Sequence, residues 1–520
     1  MEFQTIVERL RSGQDAKFPP NANSLEYAET LSSQDPLKHL KDEFILPTKG
    51  SLRKKGLSGS LPGESQVNGN GNGINKTSTS TNGLSTPPSD GSNDDDNQKS
   101  IYFVGNSLGA QPKAVRRYLD AQLETWASIG VGGHFTTWEN SPLVAWQDMS
   151  ADCARKSVDL VGAASAEEIV LMNTITANLH LMMASFYKPT EKRHKIILEW
   201  KPFPSDFYAI ESQIQWHGLD PTKSMVQIEP DQDFIISTER ILAAIDEHAD
   251  ETALLLLPGV QYYSGQLFDI PRITKYAQDK GIPYVGWDLA HGAGNVELQL
   301  HDWNVDFAVW CTYKYINAGP GAIAGAFVHE RHGRVERDPE AIHGFRHRHR
   351  LAGWYGEDKS VRFDMANRFQ PTPGAGGFQV SNPSAVDLAS LSAALSVFGK
   401  TRMRELRSKS LALTAYAEHL LDDIVASASS ASTSTTPPFR IITPRDPLQR
   451  GCQLSVLLRP GLLETVGEAL REGGVVCDQR KPDVIRVAPV PLYCDFVDVY
   501  NFMSILRRAI ATAATTTSSS

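Results

Sequence analysis

The run Phe307-Ala-Val-Trp-Cys-Thr-Tyr-Lys-Tyr-Ile-Asn-Ala-Gly-Pro-Gly321 leads from an apolar stretch to Lys314 and then into a glycine-containing turn. A second run, Tyr284-Val-Gly-Trp-Asp-Leu-Ala-His291, is apolar until it reaches Asp288, which lies 26 residues (314 − 288) before the lysine. Both apolar stretches have the length and composition of short buried strands. Because ligands bind beyond the carboxyl ends of strands in open α/β sheets, the two polar residues indicate one binding site.

A lysine and an aspartate at neighbouring strand ends suit pyridoxal phosphate. This cofactor needs a lysine that holds its aldehyde as a Schiff base and an acid that keeps its ring nitrogen protonated. A buried, unpaired Asp288 carboxylate is costly, and pairing with a pyridinium removes that cost. A polar partner such as His291 is the alternative for Asp288. His291 itself has three possible partners, namely the phosphate, the cofactor's ring oxygen and Asp288.

Apolar, β-rich runs alternate with helix-like stretches between residues 101 and 329, which predicts a mainly parallel sheet covered on both faces. Beyond Asn382 the pattern changes to two long helices and a few strands, which predicts a smaller α+β domain. Glycine, asparagine and serine dominate residues 51–100, and such a composition does not support a packed core. The predicted organisation is therefore an N-terminal segment over 1–50 that packs with the small domain, a disordered insertion over 51–100, a large cofactor-binding domain over 101–355, a small domain over 356–511 with a flexible loop at 427–438, and a disordered tail over 512–520.

Composition excludes several classes of function. A net charge of −9 over 520 residues argues against general binding to nucleic acid or to an anionic membrane surface. The five cysteines contain no CxxC pair, so we expect neither a disulfide framework nor a metal site. The acidic N-terminus lacks the basic and apolar regions of a signal peptide, and no apolar run approaches the roughly 20 residues of a membrane span. We expect a cytoplasmic protein.

Two further segments supply groups for a phosphate and a planar ring. Thr174 and Thr176 follow the predicted strand Ile169-Val-Leu-Met172 at a helix start, where free N–H groups favour a phosphate. The segment Phe203-Pro-Ser-Asp206 follows another strand and offers an aromatic face with two polar side chains. Ordinary helix capping and an ordinary proline turn are the respective alternatives.

Two arginine-containing segments complete the candidates. Arg486 lies within the apolar strand Ile485-Arg-Val-Ala488, and its forked guanidinium suits the carboxylate of an amino-acid substrate. A buried structural ion pair is the alternative. The run His343-Gly-Phe-Arg-His-Arg-His-Arg350 could suggest a metal or nucleic acid, but its histidines lack a partnering cluster and the arginines between them would repel a cation, so we interpret it as a basic surface or interface loop.

Six segments together resemble the kynureninase family, and the similarity covers nearly the whole chain outside the low-complexity tracts. They are Thr174-Ile-Thr-Ala-Asn-Leu-His-Leu-Met182, Phe203-Pro-Ser-Asp-Phe-Tyr-Ala-Ile-Glu-Ser212, Trp287-Asp-Leu-Ala-His-Gly-Ala-Gly-Asn295, Trp310-Cys-Thr-Tyr-Lys-Tyr-Ile-Asn-Ala-Gly-Pro-Gly321, Ser381-Asn-Pro383 and Ile485-Arg-Val-Ala-Pro-Val-Pro-Leu-Tyr493. The resemblance implies an α/β fold of the pyridoxal-phosphate-dependent transferase type (aminotransferase fold type I). It also implies a homodimer that hydrolyses L-kynurenine or 3-hydroxy-L-kynurenine to L-alanine and the corresponding anthranilate, in tryptophan catabolism and de novo NAD biosynthesis.

The resemblance also implies roles for individual residues. Lys314 would form the Schiff base, Asp288 would pair with the pyridinium, Tyr313 would be a proton donor, and Arg486 would bind the substrate carboxylate. The remaining cofactor contacts would be Ile175, Thr176, Phe203, Pro204, Ser205, Asp206, His291 and, from the partner subunit, Trp354 and Asn382. The chain departs from some relatives at Pro258, where they carry a serine that contacts the cofactor.

Two other functions remain open. A cysteine desulfurase or a related lyase would share the fold but needs a cysteine on a mobile loop, and no such loop is recognisable. A cofactor-free binding protein could retain the scaffold, but Lys314, Asp288 and Arg486 are all present.

Overall fold

The computed structural model describes residues 2–56, 94–431 and 436–517. Its strands are β1 (Phe44–Ile45), β2 (Ile101–Phe103), β3 (Gln111–Pro112), β4 (Ile169–Met172), β5 (Lys195–Glu199), β6 (Met225–Ile228), β7 (Thr252–Pro258), β8 (Val285–Asp288), β9 (Phe307–Trp310), β10 (Ala324–Val328), β11 (Val335–Arg337), β12 (Phe345–His347), β13 (Phe439–Ile441), β14 (Leu454–Leu458), β15 (Val475–Arg480) and β16 (Val484–Val487).

The helices are α1 (Glu2–Arg11), α2 (Leu25–Gln34), α3 (Lys49–Leu52), α4 (Asp94–Asn97), α5 (Ala114–Ile129), α6 (Met149–Lys156), α7 (Val158–Val161), α8 (Ile175–Phe186), α9 (Pro204–Trp216), α10 (Pro221–Ser224), α11 (Thr238–His248), α12 (Ile270–Asp279), α13 (Glu330–Gly333), α14 (Ala385–Phe398), α15 (Met403–Ala431), α16 (Leu463–Glu472) and α17 (Phe496–Thr517). Short 3₁₀ turns connect several of them, including Trp354–Gly356. None of the helices in the described ranges combines the length and the apolar character that crossing a bilayer requires.

The large sheet has seven strands in the order β4-β10-β9-β8-β7-β5-β6. Strands β5 to β9 within it are parallel, and β10 runs antiparallel to both β4 and β9. The apolar runs predicted as strands form this sheet, so the expected α/β fold with a mainly parallel central sheet is confirmed. The carboxyl ends of β4, β5, β7, β8 and β9 share one edge, which is where the candidate site lies.

Both faces of the large sheet are covered by helices. In β4, Ile169 and Leu171 are buried in one apolar core, whereas Val170 and Met172 are buried in a second core that also contains Ile210 of α9. Successive side chains of a strand point to opposite faces, so a strand buried on both faces must be apolar throughout. This burial explains why the predicted strands lack an alternating polar pattern.

A second sheet of five strands has the order β13-β14-β16-β15-β2. Its strands are antiparallel except β2, which pairs in parallel with β15 through Ile101 and Val475. We predicted that the large domain starts at residue 101, but β2 belongs to the smaller sheet. The three apolar residues Ile101–Phe103 complete an edge of the smaller sheet, a pairing between residues far apart in sequence.

Helix α14 falls in the predicted small domain but packs against α5 and α6, and α6 lies against β4 of the large sheet. The helix is buried on nearly all sides from Leu388 to Phe398. An apolar surface all round a helix is typical of a fully enclosed position. Helix α14 therefore packs with elements of the large domain, although it lies beyond the predicted boundary at residue 356.

The N-terminal helices α1 and α2 pack against α15 and α17. A buried ion pair between Asp35 and Lys409, at 2.7 Å, joins α2's C-terminal end to α15. Ion pairs of Asp95 with Lys49 and Arg53, both at 2.9 Å, bring together the two ends of the predicted insertion. Residues 57–93 of that insertion lie outside the described residues.

Two helices extend into segments predicted to be flexible. Helix α15 continues to Ala431, and α17 continues to Thr517, past residue 512 at which we predicted the tail to begin. Residues 427–431 and 512–517 each contain two alanines among serines or threonines, and both segments continue a long helix that precedes them. Residues 432–435 and 518–520 lie outside the described residues.

Candidate active site

Lys314 lies just beyond the end of β9, and its side chain is buried in a cavity at the carboxyl edge of the large sheet. Its Nζ atom is 3.1 Å from Nε2 of His291. The same Nζ lies 5.7 Å from the centre of the Phe203 ring and 5.9 Å from that of Tyr313. The structure therefore brings this lysine together with three of the other residues predicted at the site.

Asp288 ends β8 in the same cavity, and 8% of its surface is exposed. Its Oδ1 accepts a hydrogen bond of 2.6 Å from the backbone N–H of Ala290. The carboxyl group of Asp206 lies beside it. Burial, and then the charge of Asp288, raise the pKa of Asp206 well above its usual range. Two adjacent carboxyl groups disfavour ionising together, so this part of the cavity suits a positively charged group.

His291 is buried, and burial followed by the charge of Lys314 lowers its pKa well below the usual value. The imidazole is therefore neutral. When Lys314 donates to Nε2, the ring hydrogen lies on Nδ1. Nδ1 is buried and has no hydrogen-bond partner in the described part of the chain. Of the three partners considered for His291, the two oxygen atoms of a cofactor fit this unused donor, whereas Asp288 is not bonded to it.

Two helix N-termini point toward the cavity. Helix α8 begins at Ile175 and α9 begins at Pro204. The hydroxyls of Thr176 and Ser205, one from each helix, are 2.6 Å apart. Thr174 makes no side-chain cap of α8, so its predicted capping alternative is not observed. Free N–H groups with two hydroxyls form a ready site for a phosphate.

Most of the predicted cofactor contacts line the cavity. Phe203 stands at its mouth, and its ring packs edge-on against that of Tyr262 at 5.4 Å. Burial is also the main cause of the raised pKa of Tyr313, so this phenol stays protonated at neutral pH. Pro204, the first residue of α9, is exposed and does not line the cavity. The lining residues that the sequence analysis named are Ile175, Thr176, Phe203, Ser205, Asp206, Pro258, Asp288, His291, Tyr313 and Lys314.

Arg486 does not line the cavity. It is buried in β16, where Nη2 contacts Oδ2 of Asp478 at 2.6 Å and Nη1 donates to the carbonyl oxygen of Tyr262 at 2.9 Å. The buried ion pair left open as an alternative is thus present. Arg486 is nevertheless adjacent to the site, because Tyr262 lines the cavity and the arginine's charge contributes to the lowered pKa of His291.

Trp354 and Asn382 lie away from this chain's cavity. Trp354 is 40% exposed, and its Nε1 donates to the carbonyl oxygen of Arg362 at 3.2 Å. Asn382 is exposed in the segment before α14. The structure of one chain therefore does not bring either residue to Lys314.

Glu199 and Tyr262 also line the cavity and were not predicted as site residues. Burial raises the pKa of Glu199 to about 7. Its carboxylate accepts from the N–H of Lys201 at 2.7 Å and from the side-chain amide of Gln261 at 3.2 Å. The available signal was an acid at the end of an apolar strand, the same feature that identified Asp288.

One group that resembles a metal site was also not predicted. Ligand atoms of Glu168, His301 and His329 lie within 4.8 Å of one another on the opposite edge of the large sheet. Both oxygens of Glu168 already accept backbone N–H groups, from Ala164 and Glu330, each at 2.8 Å. This group is a satisfied hydrogen-bond cluster, and we assign no metal to it.

The chain matches two family models. Residues 145–437 match the aminotransferase class-V family, and residues 406–506 match the kynureninase C-terminal domain. The first match covers more than half of the chain, so the fold and the site together define a class-V aminotransferase-like protein.

Two curated relatives identify the family within this class. The chain is 65% identical to kynureninase 1 of Neurospora crassa, over 98% of this chain and 99% of the relative. It is 61% identical to kynureninase of Pyricularia oryzae, over 95% and 96% of the two chains. The chain belongs to the kynureninase family.

Solved structures with similar folds are more distant in sequence. A cysteine desulfurase from Thermococcus onnurineus superimposes with a TM-score of 0.60 at 16% identity, over 79% of this chain and 95% of that one. A mutant of C-DES with glycine covalently linked to its pyridoxal phosphate gives the same TM-score and identity, over 78% and 96%. At this identity the similarity shows the fold alone.

Pyridoxal phosphate is the cofactor of this chain, and the residues at the site fit it. The unused Nδ1–H of His291 offers a donor to an oxygen of the cofactor. The adjacent carboxyl groups of Asp206 and Asp288 offer a partner to the cofactor's ring nitrogen, which is a cation when protonated. The N-termini of α8 and α9 offer N–H groups to its phosphate.

Proposed function

We propose that this chain hydrolyses the Cβ–Cγ bond of L-kynurenine to give anthranilate and L-alanine, and cleaves 3-hydroxy-L-kynurenine to 3-hydroxyanthranilate and L-alanine. Each turnover consumes one water molecule. The observation that carries the proposal is the site itself, in which a buried Lys314 faces Asp288 in a chain that matches kynureninases over nearly its full length. The reaction belongs to tryptophan catabolism and de novo NAD biosynthesis.

In this proposal, different residues around the cavity contact different parts of the cofactor. Asp288 holds the ring nitrogen in its protonated form, so that the bound cofactor accepts electrons from the substrate. Phe203 covers one face of the ring. Ile175, Thr176, Ser205 and the unused donor of His291 would face its phosphate and ring oxygen, whereas Pro204 would only begin the helix that presents Ser205.

Three side chains move or hold protons. Lys314 would hold the cofactor through Nζ and, as a free amine, would take the substrate's α-proton at the same atom. His291 is neutral and accepts a hydrogen bond from that Nζ. The imidazole thereby orients the amine and adds no second positive charge beside it. Tyr313, whose phenol is protonated at neutral pH, is the proton donor to Cβ of the fragment that becomes L-alanine.

Arg486 binds the substrate's α-carboxylate in this proposal. Its charge is only partly neutralised, because Asp478 is shared with Arg480, whose Nε lies 2.9 Å from Oδ1 of that carboxylate. Two guanidinium groups around one carboxylate leave a net positive charge beside Tyr262 at the cavity wall. The α-carboxylate of the substrate would neutralise this remaining positive charge.

We further propose a homodimer in which Trp354 and Asn382 reach the cofactor of the partner subunit. Trp354 belongs to an exposed aromatic cluster, since Phe363 lies 5.5 Å from it and 5.4 Å from Phe135. All three rings are more than one third exposed. Contiguous apolar surface of this kind is typical of a protein–protein interface.

The structure disfavours a cysteine desulfurase. Burial raises the pKa of all five thiols, to about 12 for Cys153, Cys452 and Cys477. The pKa values of Cys311 and Cys494 are raised for the same reason. A sulfur acceptor needs an exposed thiolate, and none of these thiols provides one. A cofactor-free binding protein is also disfavoured, because Lys314, Asp288 and Arg486 are retained.

We propose the cytoplasm as the compartment. None of the five cysteines forms a disulfide, and four of them are buried. Free thiols in this number suit a reducing environment.

The activity is tested with purified protein loaded with pyridoxal phosphate. Incubation with L-kynurenine should produce anthranilate, followed by its fluorescence, and an equal amount of L-alanine, measured by amino-acid analysis. Incubation with L-cysteine should produce no sulfide. Sulfide release without anthranilate formation would replace the proposal with the desulfurase.

A further inference from the structure

A second cavity, of about 400 Å³, lies on the edge of the large sheet opposite the active site. Helix α8 connects the two regions. Its first residue, Ile175, lines the active site, and Lys188 just past its last turn lines the second cavity. Twelve helical residues separate them by roughly 18 Å, so the cavities are distinct. Part of the basic run at residues 343–350, which the proposed activity does not use, forms one wall.

The charge of this cavity is strongly one-sided. Five lysine or arginine side chains line it, together with a single acid, Glu336. Arg346 pairs with that acid at 3.1 Å, and Arg331 pairs with Asp306 at 2.6 Å. The other three cations, Lys188, Arg334 and Arg348, have no acidic partner within 4 Å among the described residues. This concentration of positive charge stands out in a chain of net charge −9.

Arg348 is held in a fixed position. Its guanidinium lies 4.7 Å from the ring centre of Phe186 and 4.8 Å from that of Tyr284. Its Nη2 donates to Nδ1 of His332 at 2.7 Å, and the opposite nitrogen of that imidazole lies 2.6 Å from Asp306. Because Nδ1 accepts, the hydrogen of the neutral ring is on Nε2 and is donated to Asp306. A guanidinium held in this way loses little entropy when a ligand binds.

Several polar atoms of the lining residues have no hydrogen-bond partner among the residues that the structure describes. They are Oγ of Ser185, whose side chain is fully buried, Nε of Arg348 and Nδ1 of His347. Buried polar groups are nearly always satisfied in native proteins, so three unsatisfied groups around one cavity call for a missing partner. The Ser185 hydroxyl and the Arg348 guanidinium are both donors, and oxygen atoms of an anion are suitable acceptors for each.

We propose that this cavity binds a small anion that carries phosphoryl groups. Two arginines and a lysine without acidic partners match phosphoryl oxygens in charge and in donor geometry. The volume lies in the range of small-ligand pockets and admits more than one phosphoryl group. Inorganic phosphate, pyrophosphate and a nucleoside diphosphate share this chemistry.

The test is isothermal titration calorimetry of the holoenzyme, in which the cofactor already fills the phosphate site at α8 and α9. Inorganic phosphate, pyrophosphate and ADP are titrated separately at low ionic strength. The double variant Lys188→Ala/Arg334→Ala removes two exposed cations of the cavity. Arg337→Ala is the matched control, because it removes an exposed charge of the same hairpin outside the cavity wall.

We expect saturable binding of at least one anion and a loss of about tenfold or more in affinity in the double variant. Arg337→Ala should stay within about twofold of the wild type, and added salt should weaken binding. Equal affinities for phosphate and ADP assign the site to the phosphoryl group alone, whereas tighter ADP binding adds a nucleoside contact. The proposal is overturned if none of the three anions binds up to about 10 mM, or if Arg337→Ala weakens binding as much as the double variant does.

Discussion

Arg486 and Asp478 face each other directly across the antiparallel pair β15 and β16, and two contacts join them. Nη2 lies 2.6 Å from Oδ2, and Nε donates to Oδ1 at 3.1 Å. Nη1 is directed to the carbonyl oxygen of Tyr262 at the cavity wall. One side of the guanidinium is thus occupied by Asp478, and the Nη1 edge is the part closest to the cofactor cavity.

The first prediction concerns Arg486→Lys. A lysine keeps the charge but cannot contact Asp478 with two nitrogens while a third faces the cavity. We expect KM for kynurenine to rise about 10- to 100-fold, the cost of losing one charge-assisted pair, with a smaller effect on kcat. Steady-state kinetics on the holoenzyme measures both constants.

Arg480→Lys is the control for that substitution. Arg480 shares the carboxylate of Asp478 but makes no contact with Tyr262 among the described hydrogen bonds. Its KM should stay close to that of the wild type. An equal rise in KM in both variants would mean that Asp478, and not the contact of Arg486 with substrate, accounts for the effect.

The second prediction concerns Lys314→Ala. Removal of Nζ eliminates both the covalent link to the cofactor and the base for the α-proton, so turnover should fall by at least about a thousandfold. The wild type should show a visible absorbance that borohydride fixes to the protein, and the variant should not. Lys201→Ala, at a lysine whose Nζ lies 4.3 Å from the Tyr263 ring centre, should keep both properties.

Lys314 and Asp288 were predictable because each ends an apolar run, and the carboxyl ends of parallel strands meet at one edge. The same logic could have found Glu199. The partner of Arg486 is different, because it depends on the register of β15 against β16, which a turn containing Pro482 and Asp483 sets. The sequence favoured a substrate carboxylate as the partner of Arg486, with an ion pair inside the protein as the alternative, and spacing alone could not show the contact with Asp478.

The domain boundaries failed for a related reason. Strand β2 and helix α14 are apolar segments, and composition shows that they are buried without showing which core buries them. Ile101 pairs with Val475 across most of the chain's length. The contacts of Trp354 and Asn382 cannot be read from a single chain either, because their expected partners belong to another subunit.

The third prediction concerns the pH dependence of stability. The pKa of Glu199 is raised by burial to about 7 in the folded protein, from about 4.5 when unfolded. The folded state therefore binds more protons between these values. Protonated Glu199 makes its full contribution to the free energy of unfolding below about pH 4.5, and this contribution is lost as the pH rises through 7. The loss amounts to about 3 kcal/mol.

Urea unfolding of the apo-protein at pH 5 and pH 8 measures this loss. Glu199→Gln has no charge to bury, so its unfolding free energy relative to the wild type should rise by about 3 kcal/mol between the two pH values. Glu229→Gln is the control, since Glu229 is exposed just after β6. A pH dependence that is identical in the wild type and Glu199→Gln would contradict the assigned burial cost.

The fourth prediction concerns the cysteines. Raised pKa values and burial should keep the thiols unreactive, so the native protein at pH 8 should react with a thiol reagent at fewer than about one site per chain. All five should react after denaturation. Cys477→Ala, which changes the one thiol that is partly exposed, should retain kynurenine hydrolysis. Loss of activity in that variant, with its fold intact, would reopen the desulfurase alternative.

The last prediction concerns the proposed dimer and uses two inactive variants. Lys314→Ala lacks the lysine of its own site, and Trp354→Ala lacks the tryptophan that we place in the partner's site. In a mixed dimer, the Trp354→Ala chain keeps its lysine and receives an intact Trp354 from the other chain. One site of two is then complete.

Random mixing in equal amounts makes half of the dimers mixed, so activity should recover to about a quarter of the wild-type level after subunit exchange. Each variant alone should stay inactive or nearly so. If Trp354 acted within its own chain, no site in any dimer would contain both residues and mixing would restore nothing. Mixing Lys314→Ala with Asp288→Asn provides the control, because both residues line the same chain's cavity and no exchange can reunite them.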